Sequence, residues 1–175
     1  MNTKNLVYTA FFIALGIVLP MVFHLFAGGG SVFLPMHIPV LLAGVLLGPA
    51  SGLITGILTP LLSSIFTGMP PVLPVLPIMI IELALYGFSI AILIKKFNIY
   101  ISLIISIIIG RIGAGLVVTI MVHLFNFKLP SNPLLYLWGT ITTGLPGIII
   151  QLVFIPLLYK ILRKYIDLKT VNLDV

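Results

Sequence analysis

Residues 101–125 read ISLIISIIIGRIGAGLVVTIMVHLF, an apolar run interrupted by one charged side chain, Arg111. A helix that crosses the hydrocarbon core of a bilayer needs about 20 predominantly apolar residues. This run meets that length. It therefore predicts a membrane-spanning helix.

The composition of the whole chain leads to the same class of protein. Of its 175 residues, 61% are hydrophobic and only 7% are charged, and the mean hydropathy is +1.33. A water-soluble domain carries roughly 25% charged residues, so lipid must surround most of this chain. The net charge of +6 does not indicate nucleic-acid binding, because the basic residues lie at the ends of apolar segments. The absence of cysteine excludes disulfides and cysteine-ligated metals.

Further apolar runs predict an all-α membrane protein, a compact bundle of six transmembrane helices that forms one domain over residues 1–175. The predicted spans are Leu6–Phe26, Met36–Leu47, Ala50–Phe66, Pro74–Ile94, Ile101–Phe125 and Leu134–Leu162. A tight turn is expected at Gly48-Pro49, because proline blocks an interior helical hydrogen bond. The first run is about twice as long as the apolar region of a signal peptide, so we expect it to be retained.

Basic residues indicate how the helices are oriented, because cytoplasmic loops carry an excess of lysine and arginine. If the N-terminus is cytoplasmic, the only basic residue on the outer side is Lys128. The inner segments then hold Lys4, Lys95, Lys96, Lys160, Arg163, Lys164 and Lys169. Merging the second and third spans would move Lys95 and Lys96 to the outside. The sequence therefore predicts cytoplasmic N- and C-termini.

The connections on the predicted outer side are the longer ones, and they are rich in glycine and proline. They comprise residues 28–31, 67–77 and 126–133. Binding residues concentrate on loops that a rigid scaffold positions. This pattern favours an outward-facing site with loop lids, and the alternative is that the loops are only connectors.

Two charged residues lie deep in predicted spans, Glu82 and Arg111. Each costs at least about 2.5–3.5 kcal/mol at the centre of a membrane helix, so neither is expected to face lipid. Counted at 1.5 Å per residue from the basic helix ends, Glu82 lies roughly 20 Å along its helix and Arg111 roughly 15 Å along its own. The two side chains can therefore meet. Either they form a structural pair that fixes helix register, or they face a polar cavity that holds a solute.

The neighbours of these two residues are compatible with both interpretations. Gly110 and Gly113 flank Arg111 and leave space for a partner helix or for a ligand. Tyr86 follows Glu82 by one turn and lies on the same helix face. A guanidinium group there suits a carboxylate or a phosphate, which it binds through two parallel hydrogen bonds.

Other polar candidates are predicted near the outer surface: His37, His123, Asn126, Tyr136, Trp138 and Gln151. Trp138 and Tyr136 are also typical interface anchors, and for Tyr136 that role is favoured. His123 and Asn126, three residues apart, indicate solute contacts or a helix-end cap. The histidines lack metal-ligand spacing, so no metal site is predicted. With two of its three carboxylates in the C-terminal tail, the chain cannot support paired-carboxylate or two-metal catalysis.

Small residues mark the predicted packing faces. Gly44, Gly48, Gly52 and Gly56 are spaced by four and allow helices to approach closely. Ala10 and Ala14 form a similar pair in the first helix, which suits the docking of another membrane protein.

Three stretches of the sequence resemble one known family. They are Ala10-Phe11-Phe12-Ile13-Ala14, the run MHIPVLLAG at 36–44 continuing to Gly48-Pro49 and Gly52, and LTPLLSS at 58–64 followed by TGMPP at 67–71. Together with six helices in this length and no glycine-rich Lys-Ser/Thr phosphate loop, they resemble the substrate-binding component of energy-coupling factor (ECF) vitamin transporters.

The resemblance implies a transport subunit in the plasma membrane of a prokaryote, without enzymatic activity and without a cofactor. A water-soluble vitamin or its precursor would bind on the outer side, with the 67–77 loop as a lid. Ala10 and Ala14 would dock on a transmembrane coupling subunit that two ATPase subunits drive. The predicted substrate-binding residues are Glu82, Tyr86, Arg111, His123, Asn126, Trp138, His37 and Gln151.

Pantothenate is the leading substrate candidate, because Arg111 suits its carboxylate and Glu82 suits its hydroxyl or amide donors. Pyridoxine or folate stays open, with a ring held by Tyr86 and Trp138. Neither charged group would be available to a ligand if Glu82 and Arg111 satisfied each other. The alternative function is a self-sufficient proton-coupled secondary transporter or channel that uses Glu82 as a proton relay.

Overall fold

Helices make up nearly all of the described chain. The structure is a computed structural model that describes residues 3–24, 29–125, 127 and 133–165. Its helices are α1 (Thr3–His24), α2 (Gly29–Phe33), α3 (His37–Leu47), α4 (Pro49–Thr67), α5 (Val75–Leu93), α6 (Ile99–Phe125) and α7 (Pro133–Tyr165). These residues contain no strand and six stretches long and apolar enough to cross a membrane. The predicted fold class is confirmed, and the orientation of the termini stays a prediction.

The second span consists of two helices instead of one. The eleven residues of α3 rise only about 16 Å, roughly half of the hydrocarbon core. The short helix α2 supplies the remainder, so that residues 30–47 form the spanning stretch. Leu34 joins the two helices with a φ of 50°. The amide of His37 donates a hydrogen bond to the carbonyl oxygen of Leu34 at 3.1 Å.

The expectation that residues 28–31 form a connecting loop is therefore wrong from Gly29 onward. Glycine disfavours helix by about 1 kcal/mol per residue, which is why the sequence predicts a loop there. Packing overrides this preference, because Gly147 in α7 allows the backbone at Phe33 and Val32 to approach it closely.

The centre of the bundle is the contact of α3 and α4 with α5. A Cβ atom added at Gly44 or at Gly52 would collide with the carbonyl oxygen of Gly87, and one added at Gly56 would collide with that of Leu83. Small residues let helix backbones approach closely in lipid, where apolar side chains gain nothing by leaving the solvent. The predicted packing role is confirmed for these three glycines.

Gly48 has a different role from the other three. Its φ of 97° lies in the region that favours glycine, and its amide donates to the carbonyl oxygen of Gly44 at 3.1 Å. Pro49 then starts α4 at a position where the missing amide hydrogen costs nothing. The predicted tight turn at Gly48-Pro49 is confirmed.

Helix α1 lies at the edge of the bundle and packs against α4 along a row of small and hydroxyl-bearing residues. The Thr9 hydroxyl donates to the Ser51 hydroxyl at 3.0 Å, and Gly16 makes room for Thr59. The opposite face of α1 is exposed, and it includes both Ala10 and Ala14.

Candidate functional site

A cavity of about 700 Å³ opens at one end of the bundle. It is formed by the second half of α1, by α2 and the turn after it, by the segment before α5, by α5 and α6, and by the first part of α7. This end lies opposite the α5–α6 connection, which contains Lys95 and Lys96. The described lining residues are Pro20, Gly30, Ser31, Leu34, Pro35, Met36, His37, Met69, Pro70, Pro71, Val75, Met79, Glu82, Arg111, Leu135, Tyr136, Gly139, Thr140 and Thr143.

An ion pair lies in the wall of this cavity. The Nη1 atom of Arg111 donates to the Oε1 atom of Glu82 at 2.9 Å. Glu82 is 5% exposed and Arg111 is 7% exposed, so both charges are removed from lipid and largely from water. Glu82 lies two turns into α5, and Arg111 lies near the middle of α6. The expectation that the two side chains can meet agrees with this geometry.

Two further side chains approach the same carboxylate oxygen. The Tyr86 hydroxyl donates to Glu82 Oε1 at 3.1 Å, as expected from its place one turn further along α5. The Nε2 atom of His37 lies 3.8 Å from Oε1, too far for a hydrogen bond. The His37 ring packs against the Tyr86 ring at 5.3 Å between centroids. Glu82 is thus surrounded by donors from α3, α5 and α6.

Several buried nitrogen atoms at this site have no partner among the described residues. They are the Nε and Nη2 atoms of Arg111, together with Nδ1 and Nε2 of His37. Most buried polar atoms in proteins have a hydrogen-bond partner, so such atoms beside a cavity indicate a place for a ligand. Both side chains line the cavity.

The segment between α4 and α5 covers part of the cavity and is tied to α4. The Ser63 hydroxyl donates to the carbonyl oxygen of Met69, and the Ser64 hydroxyl donates to that of Pro70, each at 2.7 Å. Met69, Pro70 and Pro71 line the cavity. Residues of the predicted lid thus contact the cavity, and its movement stays a prediction.

Comparison with protein families identifies the chain. A family model described as ECF transporter, substrate-specific component, matches residues 4–159. The chain belongs to this family. Comparisons with curated proteins and with solved structures gave no match. The family and the six apolar stretches establish a multi-pass membrane subunit that serves transport, with a site for a substrate.

Three residues predicted to bind substrate in this ECF component lie away from the cavity. Trp138 is 69% exposed on α7, and His123 is exposed near the end of α6, where its Nδ1 lies 2.9 Å from the Thr119 carbonyl oxygen. Gln151 is 1% exposed, and it lies halfway along α7 instead of near its beginning. Asn126 lies outside the described residues. Helix rotation decides which side chains turn inward, and the binding roles of these residues stay predictions.

The cavity lining does not include Tyr86 or Trp138, the two residues considered for holding a ring. Tyr86 is 1% exposed, and its ring fills the space left by Gly110 on α6. That glycine therefore serves helix packing. Tyr136, which the sequence favoured as an interface anchor, lines the cavity instead.

Two threonines on α7 were not predicted from the sequence. Thr140 and Thr143 line the cavity. Gly144 follows on the same helix face, and a Cβ atom added there would point toward Leu34 and Arg111. In the sequence, Thr143 and Gly144 follow Thr140 by three and four residues, and this spacing places the polar and small residues on one helix face. It was the available signal for the inward face of α7.

Proposed function

We propose that this ECF component captures a water-soluble vitamin or vitamin precursor in the cavity. The observation that carries the proposal is the combination of a cavity of about 700 Å³ with unpartnered donors of Arg111 and His37. Small-molecule sites have volumes of about 300–1,000 Å³, with mainly apolar walls and a few convergent polar groups. The walls supplied by Met36, Met79 and Leu135 fit that description.

Binding is proposed to take place from the outer side of the membrane. The cavity lies at the end of the bundle opposite Lys95 and Lys96, and Lys4 and Lys160 lie near the same basic end, at the start of α1 and late in α7. Since basic residues concentrate on the cytoplasmic side, the cavity opens outward.

Pantothenate is the first substrate candidate among the vitamins. Its carboxylate suits the donors of Arg111, and its dimethyl group suits the apolar wall. Pyridoxine and folate rank lower, because the ring contacts expected from Tyr86 and Trp138 are not available in the cavity. Glu82 and Arg111 do pair, but the pair uses only one nitrogen of the guanidinium group.

Uptake is proposed to need a coupling transmembrane subunit and two ATPase subunits. Ala10 and Ala14 provide the docking face, since both are exposed on α1. Phe11 between them is 56% exposed, and Val18 extends the same surface with 53% exposure. An exposed stripe of small residues beside large apolar ones allows another helix to approach closely in the membrane.

Mass spectrometry of the small molecule that copurifies with the chain is the direct test of the substrate. In liposomes, the purified chain alone should bind but not accumulate the vitamin, and accumulation should require the coupling subunit, the ATPases and ATP. Accumulation by the chain alone, driven by a proton gradient, would establish the secondary-transporter alternative and overturn this proposal.

A further inference from the structure

The unpartnered edge of Arg111 is the most specific feature of the cavity. In a guanidinium group, the Nε and Nη2 hydrogens point in the same direction and match the two oxygens of a carboxylate. Arg111 uses Nη1 for Glu82, whereas Nε and Nη2 have no partner among the described residues. The side chain is 7% exposed, so water cannot freely satisfy these two donors.

We propose that the base of the cavity is a carboxylate subsite, in which Arg111 binds the ligand through Nε and Nη2 and His37 donates a further hydrogen bond. Glu82 does not contact the ligand in this arrangement. It is a positioning residue that holds Arg111 through Nη1. The inference deepens the proposed function, because it selects acids among the vitamins, and it rests on the cavity being the vitamin site.

The contacts of Glu82 support its role as a positioning residue. Its Oε1 atom accepts hydrogen bonds from Arg111 and Tyr86, and the His37 ring lies beside the same atom. Because Arg111 already compensates the charge of this carboxylate, the first role of Glu82 is to hold the guanidinium group. The hydrogen bonds fix the Arg111 group in one orientation and leave Nε and Nη2 without a partner among the described residues, and such fixed orientation is what pre-organised binding sites require.

The groups that face the subsite also limit the ligand's charge. Glu82 and Arg111 together are neutral, so a buried dianionic group would lack compensation from this pair. His37 can donate one hydrogen bond when neutral and two when protonated. A single carboxylate can be shared between the Arg111 edge and the His37 ring, and it adds one charge only.

A glycine on α7 lies beside the unpartnered edge of Arg111. A Cβ atom added at Gly144 would lie 3.4 Å from Arg111 Nη2 and 3.0 Å from a Leu34 methyl carbon. The guanidinium edge thus lies beside a helix surface without a side chain.

Matched pairs of ligands test the subsite for two of the substrate candidates. The probes are pantothenate with panthenol, its alcohol analogue, and 4-pyridoxate with pyridoxine. The two members of each pair differ mainly in the presence of a carboxylate. The measurement is isothermal titration of the purified full chain in nanodiscs. In at least one of the two pairs, the acid should bind at least about tenfold more tightly than its neutral partner. Equal or tighter binding of the neutral partner would overturn the subsite.

Three variants show which side chains cause the preference for the acid over its neutral partner. Arg111→Met should reduce the acid-to-neutral affinity ratio to about one, and Arg111→Lys should restore it only in part, because lysine lacks the planar fork. Glu82→Gln should raise the ratio, since the site then gains a net positive charge. If Glu82 bound the hydroxyl or amide groups that both members share, Glu82→Gln would weaken both equally and leave the ratio unchanged.

Folding controls accompany these variants. Arg111→Met leaves a buried carboxylate without its partner, so the double variant Glu82→Gln with Arg111→Met removes both charges together. It should lose the acid preference while remaining monodisperse. Arg163→Met removes the same group from an exposed position near the end of α7 and should leave the ratio unchanged. Persistence of the preference in the double variant would contradict the role of Arg111.

The outcomes separate the subsite from the proposed function. A copurifying vitamin without an acidic group would overturn the subsite and leave vitamin binding intact. A copurifying acid that is not a vitamin, with affinity lost in Arg111→Met, would support the subsite and overturn the vitamin assignment. If no probe binds and no small molecule copurifies, both fail.

Discussion

Helices α1 and α3 show how differently two apolar helices of one membrane protein are used. The stretch that contains α1 is the more apolar of the two, yet only 22% of it is buried, whereas 67% of the stretch formed by α2 and α3 is buried. Val40 and Leu41 in α3 have no exposure at all, while Val7 in α1 is 62% exposed. Hydropathy predicts that a helix spans the membrane, but it does not predict where in the bundle the helix lies.

The difference follows from the solvent. Lipid tails are as apolar as leucine, so burial of large apolar side chains gives helices little reason to associate. Close backbone approach and hydrogen bonds between helices decide the packing instead. The central helices have glycines at their contacts, and α1 has Thr9 and Gly16 on the side that faces α4. Its alanines lie on the exposed side, where the proposed partner would bind.

The largest expected effect is at the centre of the bundle. Gly52→Ala places a methyl group against the carbonyl oxygen of Gly87, and overpacking of this kind costs about 1–3 kcal/mol or more. We expect a clear loss of monodisperse protein and a lower midpoint in thermal unfolding.

Gly139→Ala is the matched control for this substitution. A Cβ atom at Gly139 has no neighbour within 4 Å, and alanine favours helix by up to about 1 kcal/mol relative to glycine. Its stability should be unchanged or higher. Equal stability of the two variants would mean that the close approach of α4 and α5 does not organise the centre.

The second effect concerns the exposed face of α1. Ala14→Trp should weaken assembly with the coupling subunit by at least about tenfold, since overpacking at an interface costs about 1–3 kcal/mol. Substrate binding by the isolated chain should be unchanged, because Ala14 does not line the cavity. Copurification of the complex and titration of the chain measure the two properties separately.

Ile108→Trp provides the control on another helix. Ile108 is 52% exposed on α6, where lipid is expected around it, so the same bulk should leave assembly intact. If Ala14→Trp assembled normally, or if both variants failed to assemble, the α1 face would not be the docking surface. Ala10→Trp tests the same face one turn earlier.

Much of the centre could be predicted from the sequence. Apolar run lengths gave the six spans, and the rise per residue placed Glu82 and Arg111 at heights where they can meet. The i, i+4 spacing placed Tyr86 beside Glu82. Each of these features follows from distances along a single helix, and such distances can be counted from the sequence.

Features that depend on helix rotation and contacts between helices were harder to predict. His37 was assigned to the outer surface but lies buried beside Glu82, because α2 occupies the outer part of its span. Trp138 and His123 face away from the cavity, and Tyr136 faces into it. No single segment determines these orientations, since they result from the contacts of α7 with α2 and α6.

The third effect tests the hydrogen bond inside the polar cluster. Tyr86→Phe removes the donor to Glu82 Oε1 and leaves the ring packed against Gly110. We expect a loss of about 1 kcal/mol in stability, within the usual range for one hydrogen bond. Thermal unfolding in nanodiscs measures it. Tyr100→Phe, at a position that is 56% exposed at the start of α6, should have no effect, and an equal loss there would contradict a specific bond.

The smallest effect is expected at Gln151, where the substitution should not lower stability. Its side chain is 1% exposed, and neither its amide nitrogen nor its amide oxygen has a partner among the described residues. Such a group costs about 1–3 kcal/mol of stability, and leucine has a similar volume without polar atoms. Gln151→Leu should therefore leave stability unchanged or raise it by about 1 kcal/mol, with vitamin affinity unaltered. A loss of affinity would return Gln151 to the binding site, and a loss of stability would show that its amide is satisfied within the bundle.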